Sequence, residues 1–370
     1  MYVSSIALNA DINALSYRRG KLTRLEFYDN ILYVHKLADN DHLIIHGSIY
    51  DAHTNSIFDK DGNFAFLDID NLTFGRDALG TKPLYYSIED KLAIASDPRA
   101  LDNPIAVEPG MLYQYEDSLE IVDLNPLRNI NSIEDDEDDA KENILRLLRE
   151  SIDKRKKRCL IGVSGIDSII LAKIAKERSI IVCMKNSYDY IYAKKIANEL
   201  DLDIMLIDED IIKDTLKIIL KLLPFNDYMN ISIGLIFYLL ARYAKEQNYD
   251  NIMLGQLADE LFGGYARYLS IDKRLLNNVL YNDVINSWRV NFLRDEIVTS
   301  PFTDITLPYT SIDLVRYVLG LRSDLKIRNG ERKFILKEVA RMLSINEELI
   351  REKKAVQFSS GIYKTVKKLI

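Results

Sequence analysis

Hydrophobic and polar positions follow one pattern in the first third of the chain and another beyond it. Up to about residue 125 the apolar positions fall in short runs of β type. Examples are Ile31-Leu-Tyr-Val-His35, Leu43-Ile-Ile-His46, Asn63-Phe-Ala-Phe-Leu67, Leu84-Tyr-Tyr86 and Leu92-Ala-Ile-Ala95. Turn signals such as Asp61-Gly62-Asn63 and Leu79-Gly80 divide them, and no long helical pattern intervenes. This predicts an antiparallel β domain over residues 1–125. Glu134 to Asp139 is an unbroken acidic run. Like charges in a row repel one another and resist burial, so the run predicts a linker, set at 126–140. Its acidic end also suits the start of a helix, and Ile144, Leu147, Leu148 and Ile152 follow at helical spacing.

From residue 141 to 370 the pattern is different. The apolar strand Cys159-Leu-Ile-Gly-Val163 leads through a short turn into a helix from about Asp167 to Arg178. Strands at Ser179–Cys183, Asp203–Ile207 and Asn251–Leu254 alternate with helices near 189–200, 209–223 and 231–247, and beyond about 270 the chain reads mostly helical. Strand–helix alternation predicts a parallel sheet covered on both faces. The fold class is therefore α/β, or α+β overall: an antiparallel β domain, then a parallel-sheet domain with extra C-terminal helices.

Composition narrows the class. With 370 residues, 48% apolar content, 15 glycines and 8 prolines, the chain has material for two packed cores and not for a fibrous or disordered protein. A formal net charge of -7 gives no bulk attraction to nucleic acid or an anionic membrane. Lys154-Arg155-Lys156-Lys157-Arg158 is a local basic run, read as a solvated turn. The two cysteines, Cys159 and Cys183, sit in apolar strands and read as buried thiols. With no signal-peptide pattern and no stretch of about 18 apolar residues, the expectation is a cytoplasmic protein without a membrane span.

Val163-Ser164-Gly165-Ile166-Asp167-Ser168 lies where a strand turns into a helix. Backbone N–H groups at such a turn carry partial positive charge and make an anion site. Gly165 permits close approach, the hydroxyls of Ser164 and Ser168 add donors, and Asp167 suits a magnesium ion bridging carboxylate and phosphate. The same six residues also describe an ordinary serine-capped helix start.

The hexapeptide resembles the SGGxDS pyrophosphate loop of ATP-pyrophosphatases, with Ile166 where a second glycine is usual. Leu254-Gly-Gln-Leu-Ala-Asp-Glu-Leu-Phe-Gly-Gly-Tyr265 resembles the GEGADELFGGY segment of asparagine synthetases, with Gln256 in place of a glutamate and Leu257 in place of a glycine. Arg351-Glu-Lys-Lys-Ala-Val-Gln-Phe-Ser-Ser-Gly361 resembles the late R-x-K...Q...S-G stretch of that family. The resemblance implies an ATP-pyrophosphatase domain in which Val163 to Ser168, Lys185, Gly255 and Gln256 contact ATP. It also implies that Asp167 and Asp259 hold magnesium and that Lys353 stabilises charge on the adenylate and pyrophosphate. Lys185 to Asp189 and Asn230-Ile-Ser232 fall where the family meets adenine or ribose. The family glutamate handles a proton of the incoming amine, a task Gln256 cannot perform.

The first domain carries the resemblance further. Asp61-Gly-Asn-Phe-Ala-Phe66, Arg76-Asp-Ala-Leu-Gly-Thr-Lys-Pro-Leu-Tyr-Tyr86 and His46-Gly-Ser-Ile-Tyr50 resemble elements of the Ntn-type glutamine amidotransferase domain that precedes the synthetase domain in this family. That domain hydrolyses glutamine with an N-terminal cysteine. Tyr2 stands at position 2, and a phenol is no substitute for the thiol. The expectation is a domain without glutaminase activity. The four histidines, His35, His42, His46 and His53, follow strands and loops and show no metal-ligand spacing.

The resemblance therefore implies AMP-forming activation of a small-molecule carboxylate, aspartate by default. Capture follows by ammonia or an amine, delivered free or by a separate protein. Two further readings stay open. One is an intramolecular cyclase like the β-lactam synthetases. The other is a nucleotide-binding regulatory protein without catalysis.

Overall fold

The computed structural model describes residues 2–27, 30–38, 43–50, 56–155, 158–185, 187–350 and 361–370. The chain divides into two compact units. The first holds residues 1–129 together with 285–296 and 300–302, and the second holds the rest.

The strands of the first unit are β1 (Tyr2–Leu8), β2 (Lys21–Phe27), β3 (Asn30–Ala38), β4 (Leu43–Ile49), β5 (Gly62–Asp68), β6 (Thr73–Arg76), β7 (Tyr85–Ile88), β8 (Leu92–Ala95), β9 (Ile105–Ala106), β10 (Met111–Tyr115) and β11 (Leu119–Asp123). They form one sheet in the order β11-β10-β6-β5-β4-β1-β8-β7-β9, with β3 also pairing β1 and β2 pairing β3. The pairings are antiparallel except for a short parallel contact between β1 and β4. Alternation along β5 sends Ala65 and Leu67 into one core and Phe64 and Phe66 into another, as a period of two requires. Both faces are buried, which is why this strand reads as an unbroken apolar run. Phe74, Tyr86 and Tyr113 pack as an aromatic trio with centroids 5.1–5.9 Å apart.

A buried charged group lies inside this unit. Glu296 receives hydrogen bonds from Arg18 and, at 2.6 Å, from Lys82 Nζ, and its carboxylate lies 3.2 Å from His46 Nε2. A carboxylate only accepts, so the imidazole proton sits on Nε2, and Nδ1 faces the Ser96 hydroxyl at 3.2 Å. Burial alone would raise the Glu296 pKa. Lys82, His46 and Arg18 together hold it well below the usual carboxylate range. Burial pushes His46 down to about 4, against the pull of Glu296, so it is neutral at pH 7.

The second unit opens with α1 (Glu137–Arg155), whose first turn carries Glu137, Asp138 and Asp139, a favourable end for negative charge. Arg155, read from sequence as solvated, is 2% exposed and donates to the Ser151 carbonyl and hydroxyl of its own helix. Then follow β12 (Cys159–Gly162), α2 (Ile166–Ala175), β13 (Ser179–Met184), α3 (Tyr188–Leu200), β14 (Asp203–Ile207), α4 (Glu209–Leu222), α5 (Tyr228–Glu246), β15 (Asn251–Met253) and α6 (Ala258–Phe262). Further on come α7 (Lys273–Asn286), α8 (Asn291–Thr299), whose residues up to Glu296 belong to the first unit, then β16 (Asp304–Thr306), α9 (Ile312–Gly320), α10 (Ser323–Lys326), the hairpin β17 (Ile327–Arg328) and β18 (Glu331–Arg332), and α11 (Phe334–Met342).

The five-stranded sheet runs β14-β13-β12-β15-β16 and is parallel throughout. The chain steps outward one way from β12 and the other way from β15. The crevice at their carboxyl ends is thus a topological switch point, where open α/β sheets bind ligands. The fold class is α/β with an antiparallel β unit, as the sequence predicts. The strand β16 differs from expectation, since the chain beyond about 270 reads from sequence as mostly helical. Three residues are too few for a period to register.

Candidate active site

The loop from β12 into α2 carries Val163, Ser164 and Gly165. Val163 is buried, and its N–H joins Ile180 O at 2.8 Å, continuing the sheet. The amides of Ser164 and Gly165 both reach the Ser168 hydroxyl, at 2.8 and 3.2 Å. Two backbone donors therefore converge on one oxygen at the start of α2. A Cβ placed on Gly165 would meet nothing within 4 Å, so this part of the loop borders open space. Ile166, where a second glycine was usual, is the first residue of α2 and has no positive φ. The helical backbone there accepts a branched side chain.

The loop from β15 into α6 comes against it. A Cβ on Gly255 would lie 3.1 Å from Asp167 Cβ and 3.3 Å from Ser168 N, so glycine lets the two loops close up. Leu257 has φ +77 and is buried. The turn that a glycine would enter freely is here taken by a leucine, at a cost of about 1–2 kcal/mol. Tyr309 supports the loop of α2, its hydroxyl donating to Asp167 O at 3.0 Å and its ring meeting Phe262 edge-on.

Asp167 and Asp259 meet at Lys333. The Lys333 ammonium lies 2.7 and 2.6 Å from the two Asp167 oxygens and 2.7 Å from Asp259 Oδ1. Lys333 caps α11 with φ +56, a left-handed conformation that turns its stem inward from the β17–β18 hairpin. Burial pushes the Asp167 carboxyl up to about 6; Lys333 works against that rise and Asp259 adds to it. Burial opposes the charge on Lys333, yet the two carboxylates raise its pKa above the usual lysine value. Glu260 is buried beside them and pushed up to about 7 by that burial, while accepting a 2.6 Å hydrogen bond from Tyr265.

Gly264 makes room for this group. A Cβ there would fall 1.9 Å from Asp259 Oδ1 and 2.3 Å from Lys333 Cε. Gly264→Ala is therefore expected to fold, because the displaced atoms belong to side-chain ends, with a loss of about 1–3 kcal/mol. Its structure should show Asp259 and Lys333 separated. A structure of the variant with both contacts intact would contradict this account.

The structure thus brings Val163 to Ser168, Gly255 and Asp259 together. Gln256 lies on the same loop as Gly255, half-buried. Lys185 is an exposed turn residue after β13 and does not join the bonded group. Lys353 and Asn186 lie outside the described residues, as do His42 and His53. Lys333 was not singled out in the sequence, where it looks like one more cation in a basic stretch.

Two carboxylates converging on one cationic position suit a hard divalent ion. Such ions prefer oxygen donors and, when small, take one or two carboxylates with phosphates and water completing the shell. Among the described residues no group of three or more His, Cys, Asp or Glu could hold a metal.

Comparisons with known proteins find the following similarities. The NMN synthetase of Francisella tularensis matches with a TM-score of 0.32 and 12% identity over 62% of this chain and 79% of its own. A Methanocaldococcus jannaschii protein named as a glutamine-hydrolyzing asparagine synthetase is 28% identical over 409 aligned positions, covering 90% of this chain and 75% of that one. A Schizosaccharomyces pombe protein of like name is 24% identical over 75% of this chain, which spans only 58% of its length. The profile of the asparagine synthase family matches residues 147–297 and 303–369, taking in both loops and the lysine between their carboxylates, and the chain belongs to that family.

Proposed function

We propose that the second unit activates a carboxylate with ATP, releasing pyrophosphate, and passes the acyl group to ammonia or an amine to form an amide. The observation that carries this reading is the meeting of Asp167, Asp259 and Lys333 at the switch point, beside a loop whose amides converge on one oxygen position.

Asp167 and Asp259 would hold magnesium, which supplies neutralisation of charge on the phosphates. The amides of Ser164 and Gly165 would orient a phosphate oxygen in the place their shared hydroxyl oxygen takes now. Lys333 supplies a mobile cation for charge that builds up as pyrophosphate departs. Lys353 is proposed as a second cation in that role, and Lys185 as a contact from the neighbouring strand end. Positioning and charge stabilisation of this kind carry most of the catalysis when the chemistry is displacement at phosphorus.

Aspartate is the default substrate, from the names of the two relatives. Both relatives are named as glutamine-hydrolyzing, whereas residues 1–129 of this chain hold no cysteine. We therefore assign nitrogen delivery to ammonia or an amine, free or from a separate protein. The first unit then serves as a structural or docking module.

The test is ATP–pyrophosphate exchange with magnesium and a panel of amino acids that includes aspartate. Exchange dependent on one carboxylate is expected. Binding of ATP with no exchange for any carboxylate would favour a regulatory nucleotide-binding role instead.

A further inference from the structure

The position on which Asp167 and Asp259 converge already contains a cation, and it belongs to the protein. Three carboxylate oxygens lie 2.6–2.7 Å from Lys333 Nζ. The lysine stem is held in the notch left by Gly264, and its side chain is 10% exposed. A divalent ion on the same carboxylates would share their oxygens with the ammonium. The two cations would stand within a few ångströms of each other in a water-poor site, where like charges repel strongly. The lysine is not locked for good, since its stem is a flexible chain with rotatable bonds.

We propose that Lys333 is a resident counter-ion that excludes divalent cations from the carboxylate pair until nucleotide phosphates draw the ammonium away. This rests on the nucleotide-activating reading of the site. It adds an order of events to that reading. The free protein ignores divalent ions, because binding one would strand the lysine charge without a partner. When the phosphates arrive they offer the ammonium a new set of oxygens, and the carboxylates become available in the same step. Metal and nucleotide then enter together, and each depends on the other through one side chain. The affinity of the pair for metal alone is reduced by the small fraction of molecules in which the ammonium has left.

The experiment is Mn²⁺ binding, followed by the electron-spin resonance of the free ion, on the full chain and on Lys333→Met, each with and without a non-hydrolysable ATP analogue. Methionine keeps an unbranched stem and removes the charge. Lys333→Gln is the second variant should the first not fold, with circular dichroism as the check. Without nucleotide, Lys333→Met is expected to bind Mn²⁺ about tenfold or more tighter than the wild type. With the analogue, the wild type is expected to gain Mn²⁺ binding. Equal binding by wild type and both variants without nucleotide, or no binding by either variant, overturns the exclusion while leaving the nucleotide reading in place. No nucleotide-dependent gain in the wild type overturns the nucleotide reading, and the handover with it.

Discussion

Replacing Asp167 by asparagine should lower carboxylate-dependent ATP–pyrophosphate exchange by about 10²–10³-fold and leave the second unit folded. Asparagine keeps the shape of the side chain and can still sit beside Gly255, so the close approach of the two loops survives. What goes is the negative charge that, with Asp259, defines the cationic position. That charge also balances the buried Lys333 ammonium, which in the variant keeps Asp259 as a carboxylate partner. Burial already pushes the Asp167 carboxyl up to about 6 from an ordinary 3.8, which means the folded unit resists its ionisation. Relief of that burial and loss of a Lys333 partner oppose each other, so the melting temperature near neutral pH is expected to change little. Exchange rates and melting curves on the same preparation check both halves. A variant that exchanges normally would remove Asp167 from the chemistry.

Glu296→Ala should do the reverse, costing the first unit about 3–5 kcal/mol. The carboxylate is the shared partner of Arg18, Lys82 and His46, and all four side chains are almost wholly buried. Its loss leaves cationic groups in the interior without the charge that balances them.

The same cluster gives the unit a definite response to acid. His46 is lowered from 6.5 to about 4 in the fold. Between those values the unfolded chain takes up a proton that the folded unit refuses, so stability is full above pH 6.5 and falls as the pH drops toward 4. Glu296, held well below its ordinary 4.5, contributes stability that is whole above that value and is lost as the pH falls on toward its lower folded pKa. The second unit should respond with the opposite sign. Asp167 is raised to about 6 and Glu260 to about 7. Between pH 7 and about 4.5 the folded unit binds protons that the unfolded chain releases, and acidification stabilises it. Hydrogen exchange read by mass spectrometry at pH 7 and pH 5 should show protection falling in β4 and β5 and rising in β12 and β15. Changes of the same sign in both units would refute the assignment.

Much of the layout is visible in the sequence, for reasons that particular residues make plain. Phe64 and Phe66 alternate with Ala65 and Leu67 because a strand sends neighbours to opposite faces, and that period survives even where both faces are buried. The two site loops stand out because apolar strands run into glycine, serine and aspartate at helix starts, and the family resemblance separates them from ordinary capped helix starts. Lys333 does not stand out. It lies 166 residues from Asp167, and what brings it there is a left-handed backbone at its own position and the absence of a side chain at Gly264. Neither leaves a periodic trace. The family resemblance pointed to Lys353, which lies outside the described residues. Leu257 was visible as a departure from a family glycine, but its φ of +77 runs against the local preference of leucine.

The division of the chain has a practical consequence. Its single tryptophan, Trp288, is buried and belongs to the first unit, where the Arg76 guanidinium lies 4.9 Å from its ring. Its two cysteines, Cys159 and Cys183, are buried in β12 and β13 of the second. Indole emission therefore reports on one unit, and the alkylation rate of the thiols clocks the opening of the other, since a buried thiol reacts only when its strand is exposed. The natural chain carries two optical and chemical reporters that do not overlap, and each unit can be watched separately with no label added.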